Sequence, residues 1–386
     1  MPKVLDKFWS WGFHPVPGSI LWFSSLWFST VIYVLIFIHF RIIQPDLDEH
    51  ILYSNDIPDK FRFSGHPLFF VLIQVFSGFS KVFKVQVWAA TFIFSCAQLA
   101  KLMLTYRLIN VVFQTKVNHI QFLLILLLQL VISFSVFDKN FIINQLSPNY
   151  FHNGTLNISI PFALWLFTEA VLYIRSSEAI HFRRMMIAGL FIILAKPSFL
   201  FCFIPIFPVY MFVRFGFSKK LVGALRVDAF FLALLIWQSI YLLLLPKAPG
   251  TTFSIDFKPF FLFGSWEGHA TTLLYGMAIP LFALIVFGIK AFSHHTIAFT
   301  LAMLALGYIF AFTMVDKVNG IISPNMTWQV PIVLYLLLVL LIGRVFNREF
   351  KASRWKLALF TFFIGLNATY GLHYLKVAAL VRSFFI

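Results

Sequence analysis

The residues best suited to chemistry lie in one short polar stretch. Residues 44–53 read Gln-Pro-Asp-Leu-Asp-Glu-His-Ile-Leu-Tyr, and five of the 14 acidic residues fall between 46 and 59: Asp46, Asp48, Glu49, Asp56 and Asp59. Pro45 ends a preceding helix, and Asp46 can cap a new one. If 47–54 form a helical turn, Asp46 and Glu49 stand three apart on one face. A carboxylate at a membrane surface, sheltered by apolar walls, holds its proton more firmly and can act as general base toward a hydroxyl. The same oxygens could take Mg²⁺ or Mn²⁺. The plainer reading is a solvated acidic loop.

A second candidate is a cation. Ala195-Lys-Pro-Ser-Phe199 interrupts an apolar stretch. A Lys at mid-membrane costs roughly 2.5–3.5 kcal/mol on insertion scales, so it faces a cavity or a partner. Pro197 breaks the helix beside it. Lys196 could then bind a lipid phosphate as a point charge; the alternative is a Lys snorkelling to the interface from a short hairpin. Two further polar loops offer His152 with Asn153, in Ser147-Pro-Asn-Tyr-Phe-His-Asn-Gly-Thr155, and Glu267 with His269, in Trp266-Glu-Gly-His269. The first could hydrogen-bond a sugar or phosphate, or be a turn at Pro148-Asn149 and Asn153-Gly154. The second is a possible acid/base pair, or an interfacial anchor set by Trp266. Glu169 falls near the end of its apolar run, where Arg175 is an available partner. His294-His295 lacks the spacing of a zinc site, and no metal is assigned to it.

These residues must be held by helices in lipid. The chain has 386 residues, is 60% hydrophobic and only 11% charged, and contains 52 Phe. Soluble domains carry about 25% charged residues. The net charge of +16 comes from basic residues set between apolar runs, where they orient a membrane protein rather than bind nucleic acid. Two Cys exclude a disulfide scaffold. Spans are expected at 20–40, 86–106, 119–137, 157–174, 226–245, 271–289, 296–315, 326–343 and 356–375. The first is too long for the apolar core of a cleavable signal, about 7–15 residues, and is read as retained.

The stretch 185–213 contains Pro197, Pro205 and Pro208 and is either one kinked helix or a hairpin. With Lys3 and Lys7 placing the N-terminus in the cytoplasm, the hairpin puts 18 of 30 basic residues inside, Lys101 and the Arg344–Lys356 cluster among them. A single crossing would send that cluster outside, so charge bias favours the hairpin. The expectation is a single all-α integral-membrane domain over 1–386 with about 10–11 hydrophobic segments, and an external acidic loop with an interfacial helix over 41–80. His66-Pro-Leu opens an apolar segment of about a dozen residues, too short to span and suited to the interface.

The order of these features resembles the GT-C superfamily of polytopic glycosyltransferases, such as protein O-mannosyltransferases and lipid A aminoarabinose transferases. The resemblance rests on a first span, then Asp48-Glu49, then Tyr53, then the turn at His66-Pro67-Leu68, and is strongest over residues 20–80. The Lys196-Pro-Ser step is similar to one in such sequences. The 147–155 segment resembles one in small bacterial members, with Tyr150-Phe151 where Trp is expected. The resemblance implies an inverting transferase with Asp48 or Glu49, aided by Asp46, as base. It implies a donor sugar on a polyprenyl phosphate or diphosphate. Tyr53 and His66 join the substrate-binding set with Lys196, His152, Asn153, Glu267 and His269. It also implies a glycan or lipid acceptor, a role in cell-envelope polysaccharide or glycolipid synthesis, and a site on the outer face of a bacterial inner membrane. The absence of a P-loop, GxSxG or HExxH motif argues against an ATP-driven pump, a serine hydrolase and a zincin. A glycolipid flippase would need the same cavity and cations without the base. It should tolerate loss of Asp48 and Glu49, and a transferase should not.

Overall fold

A computed structural model describes residues 12–40, 50–51, 53–57, 66–131, 154–244, 253–256, 273–318, 321–323 and 327–383. The helices are α1 (Gly18–Phe40), α2 (Pro67–Phe76), α3 (Phe83–Phe113), α4 (His119–Leu128), α5 (Gly154–Ser176), α6 (Ala179–Ala195), α7 (Ser198–Phe215), α8 (Lys219–Leu244), α9 (Ala278–Phe287), α10 (His295–Thr313), α11 (Gln329–Val345) and α12 (Arg354–Ser383). Three short strands, β1 (Phe253–Asp256), β2 (Val315–Val318) and β3 (Ile321–Ser323), pair antiparallel in that order, with Phe253 opposite Val318 and Val318 opposite Ile321. They tie the segment after α8 to the hairpin after α10.

Among the described residues five helices are long and apolar enough to cross a membrane: α3, α5, α7, α8 over Lys219–Tyr241, and α10. Large apolar side chains such as Phe23, Trp27, Trp237 and Phe362 are exposed on the bundle's outside, as lipid contact requires. The chain is thus a helical membrane bundle.

Its hub is α11. Every residue from Gln329 to Val345 is buried except Arg344. An apolar-all-round helix can be enclosed by others or face lipid, and α11 is enclosed, packing against α3, α4, α5, α7, α9 and α10. Gly343 lets this happen at one end: a Cβ there would meet the Phe113 ring at 2.3 Å. Small residues permit such close approach between helices in lipid.

The stretch 185–213 is two helices, α6 and α7, broken at Lys196-Pro197. Helix α6 ends with the Lys196 amide on the Ile192 carbonyl at 2.7 Å, and the Leu200 amide bonds the Pro197 carbonyl at 2.8 Å. The chain turns back there, since Lys220, just after α7, donates through Nζ to the Ile174 carbonyl near the end of α5 at 2.6 Å.

Helix α4 starts from a capping box. The Asn118 side chain accepts from the Gln121 amide at 2.9 Å, and the Gln121 side chain accepts from the Asn118 amide at 3.0 Å. The preceding turn is stitched to the chain's beginning by Val16 N–H to the Val117 carbonyl at 3.0 Å and His119 N–H to the His14 carbonyl at 3.2 Å.

Two charged residues find their partners on other helices. Lys101, counted on the inner side within the expected span 86–106, lies in α3, which runs on to Phe113, and is 5% exposed. Its Nζ sits 4.1 Å from the Tyr335 ring centroid of α11, where the negative face of the ring offsets part of the lost hydration. Glu169 does not pair with Arg175. Its Oε1 accepts from Arg107 at 2.5 Å and its Oε2 meets His181 Nδ1 at 2.6 Å, with Arg184 at 3.9 Å. Arg175 instead donates to the Val111 carbonyl and, at 2.7 Å, to the Val112 carbonyl, closing the end of α3.

Candidate functional site

At the end of the bundle opposite Arg214, a small buried cluster gathers segments far apart in sequence. It consists of Tyr33, Ile51, Phe69, Ile73, Ala90, Ile93, Phe94, Ile158 and Ala195. Ile51 comes from the acidic loop, two residues after Glu49. Ala195 immediately precedes Lys196. Gly154, one residue after Asn153, presses on the same rings: a Cβ there would meet Phe94 at 2.9 Å and Phe69 at 3.0 Å.

Polar contacts fix the loop on this cluster. Residues 50–51 and 53–57 are largely helical. The Gln74 Nε2 of α2 donates to Ser54 Oγ at 2.8 Å and to Asn55 Oδ1 at 3.2 Å. Gln86 Nε2 of α3 donates to the same Asn55 oxygen at 2.5 Å. The His50 ring meets Phe69 and Phe70 edge-on, with centroids 6.1 and 5.5 Å apart. Tyr53 is 58% exposed. His66 is the N-cap residue of α2, with Pro67 starting the helix, where a missing amide hydrogen costs nothing.

Lys196 is 5% exposed, and its Nζ lies 4.8 Å from the Trp328 ring centroid. Trp328 stands at the N-terminal end of α11, so the hub helix delivers the aromatic face that covers the ammonium. An apolar cleft of about 270 Å³ opens alongside, between α2, α3 and α5, lined among others by Leu72, Phe76, Cys96 and Trp165 and sharing Ile93 and Ile158 with the cluster.

Of the catalytic and substrate-binding candidates read from the sequence, Lys196, Tyr53 and His66 are described. Asp46, Asp48, Glu49, His152, Asn153, Glu267 and His269 lie outside the described residues. What the structure brings together is the chain flanking three of these sets: 50–57, Gly154 and Ala195–Lys196. Among the described residues no group of three or more His, Cys, Asp or Glu side chains is placed to hold a metal ion. Of the acidic loop's carboxylates Asp56 is described, while Asp46, Asp48, Glu49 and Asp59 lie outside the described residues, and no step below passes through a metal.

Sequence reading missed a buried polar track further along the hub. Gln98 Nε2 donates to Gln129 Oε1 at 3.0 Å, and Gln129 Nε2 donates to the Tyr335 hydroxyl at 2.9 Å. That hydroxyl shares a hydrogen bond with Thr105 Oγ1 at 2.9 Å. The track was readable in α3 as Gln98, Lys101 and Thr105, at spacing i, i+3, i+7 on one helix face.

Compared with models of protein families, with curated proteins and with solved structures, the chain matches none.

Proposed function

We propose that this helical membrane protein is a glycosyltransferase of GT-C type that takes its sugar from a polyprenyl-phosphate-linked donor. The observation that carries the reading is the convergence at Lys196: a buried ammonium at a helix break, on the cluster that anchors the chain following Asp48-Glu49. A base and a phosphate-binding cation are the two groups that such a transfer needs from the protein.

In this mechanism the acceptor hydroxyl oxygen attacks the anomeric carbon. The bond from that carbon to the phosphate oxygen breaks, and its electron pair leaves with the polyprenyl phosphate. The hydroxyl proton passes to Asp48 or Glu49. Attack opposite the leaving group inverts the anomeric centre. Lys196, set on the Trp328 face, stabilises the charge gathering on the phosphate, and that electrostatic contribution is the larger one. The apolar cleft between α2, α3 and α5 suits the first isoprene units of the lipid chain, with the remainder in the bilayer.

The reading is tested by incubating purified protein with polyprenyl-phosphate sugars and a panel of acceptors and following release of polyprenyl phosphate. Turnover by wild type that drops at least a hundredfold in Lys196→Met supports it, in keeping with the roughly 10²–10³ attached to one charge-stabilising group. Undiminished turnover in Lys196→Met would remove that residue from the site.

A further inference from the structure

At the other end of α11 five cationic or protonatable side chains meet with no acid among the described residues. Arg175 ends α5, Arg214 lies in the last turn of α7, Arg344 lies in the last turn of α11, and His294 and His295 begin α10. The two imidazoles stack with centroids 4.4 Å apart, and His294 lies 5.1 Å from the Phe113 ring at the end of α3.

Basic residues at helix C-termini are ordinarily explained by the dipole they face. That accounts for Arg175, whose guanidinium closes α3. It does not account for the group as a whole, because α10 presents its N-terminus here. Its positive end faces the same way as the guanidiniums. The neighbouring carboxylate is already taken, since Glu169 is held by Arg107 and His181. Among the described residues none of the five forms an ion pair with an acid.

The guanidiniums also have donors to spare. Arg214 Nη1 donates to Tyr210 Oη at 2.7 Å, which uses one of five N–H groups. Arg344 Nε is shielded from solvent yet has no hydrogen-bond partner, although its guanidinium packs on the Phe350 ring at 5.2 Å. A buried charged donor left unmade is costly, and an anion would satisfy it. His294 feels the excess directly: burial, then His295 and then the guanidiniums of Arg344, Arg175 and Arg214 push its pKa down to about 4.

We propose that these helix ends form a binding site for a phosphate anion, the phosphodiester headgroup of an acidic phospholipid. Phosphate is favoured because several forked guanidinium donors can share its oxygens. A lipid source is favoured by what lies beside the site. Phe217 is 92% exposed, Val213 78% and Ile289 73%, so apolar side chains project next to the cations at the level of the helix ends. A headgroup with its acyl chains matches both. The site is separate from the transferase reading and does not depend on it.

The test uses purified full-length protein in detergent and three probes: dihexanoyl phosphatidylglycerol, inorganic phosphate and dihexanoyl phosphatidylcholine. Wild type should bind phosphatidylglycerol saturably and one to one, more tightly than the zwitterionic lipid. Arg214→Gln/Arg344→Gln should weaken this about tenfold or more, whereas the exposed Arg183→Gln at the same end should not. His294→Asn/His295→Gln is the second variant, since Asn retains the helix cap and guards against a folding defect in the first. Equal binding of inorganic phosphate and phosphatidylglycerol would support the phosphate site and overturn the lipid as its source. Absence of saturable binding by either probe, or equal weakening in Arg183→Gln, would overturn the site.

Discussion

The Lys196 ammonium and the Trp328 indole meet at 4.8 Å, although one ends α6 and the other opens α11. A helix break alone would leave Lys196 a buried charge in search of a partner. The indole face supplies an attraction of about 0.5–2 kcal/mol that holds the ammonium in place.

Substitution at this pair should therefore separate charge from position. Lys196→Arg keeps a cation and should retain more turnover than Lys196→Met. Trp328→Phe keeps a weaker ring face and should mainly raise the donor KM, while Trp328→Leu should lower kcat as well. Steady-state kinetics with a polyprenyl-phosphate sugar distinguish these outcomes; equal kinetics for the Phe and Leu variants would show that the ring face does not matter.

Glu169 is fully buried and tied to Arg107 and His181 from two other helices. Glu169→Leu should destabilise the bundle by roughly 1–3 kcal/mol, the lower part of the range for broken buried pairs, because Arg107 and Arg184 are each about two-fifths exposed and can regain water. Thermal unfolding in detergent measures it. Arg175→Gln should act differently, by fraying the end of α3 with Glu169 still paired.

His294 gives a pH signature. Its pKa falls from 6.5 to about 4 on folding, mainly through burial and then through His295, Arg344, Arg175 and Arg214. A group that is neutral when folded but protonated when unfolded contributes stability that is fully present above about 6.5 and is lost as pH falls toward 4. Wild type should therefore lose unfolding temperature across that window more steeply than His294→Asn. Parallel pH profiles for the two proteins would contradict the assignment. A bound phosphate would raise the folded-state pKa and flatten the wild-type slope.

Asp228 in α8 is 5% exposed, and neither carboxylate oxygen has a hydrogen-bond partner among the described residues. Replacing an unpaired buried polar group with an apolar one of similar size should be neutral or stabilising, by about 1–2 kcal/mol. Asp228→Leu is expected to raise the unfolding temperature with turnover unchanged; a loss of turnover would give Asp228 a role in the reaction.

Much of the helical layout was legible because lipid demands apolar runs of fixed length, and the Lys196-Pro197 break was legible because Pro and a mid-run charge are both costly. Which helix lies at the centre was not. In lipid, outer and inner faces are both apolar, so nothing in the composition of α11 marks it as the hub. The partner of Glu169 was misread for the same reason. Glu169 was matched to Arg175 along its own helix, whereas Arg107, His181 and Arg184 arrive from α3 and α6. The candidate site was read from the sequence in local pieces, the acidic loop and the Lys-Pro step, and the structure describes the chain flanking them. Their meeting at Ile51, Phe69, Gly154 and Ala195 depends on tertiary packing that spacing does not encode.

The central claim is that the loop carrying Asp48-Glu49 supplies the base for sugar transfer beside Lys196. Its most direct test compares wild type with Asp48→Asn/Glu49→Gln, both purified and folded, for release of polyprenyl phosphate from a panel of polyprenyl-phosphate sugars. The account predicts turnover in wild type and its abolition in the double variant. Absence of turnover with every donor, together with glycolipid movement across proteoliposomes by both proteins, would contradict it and leave a flippase.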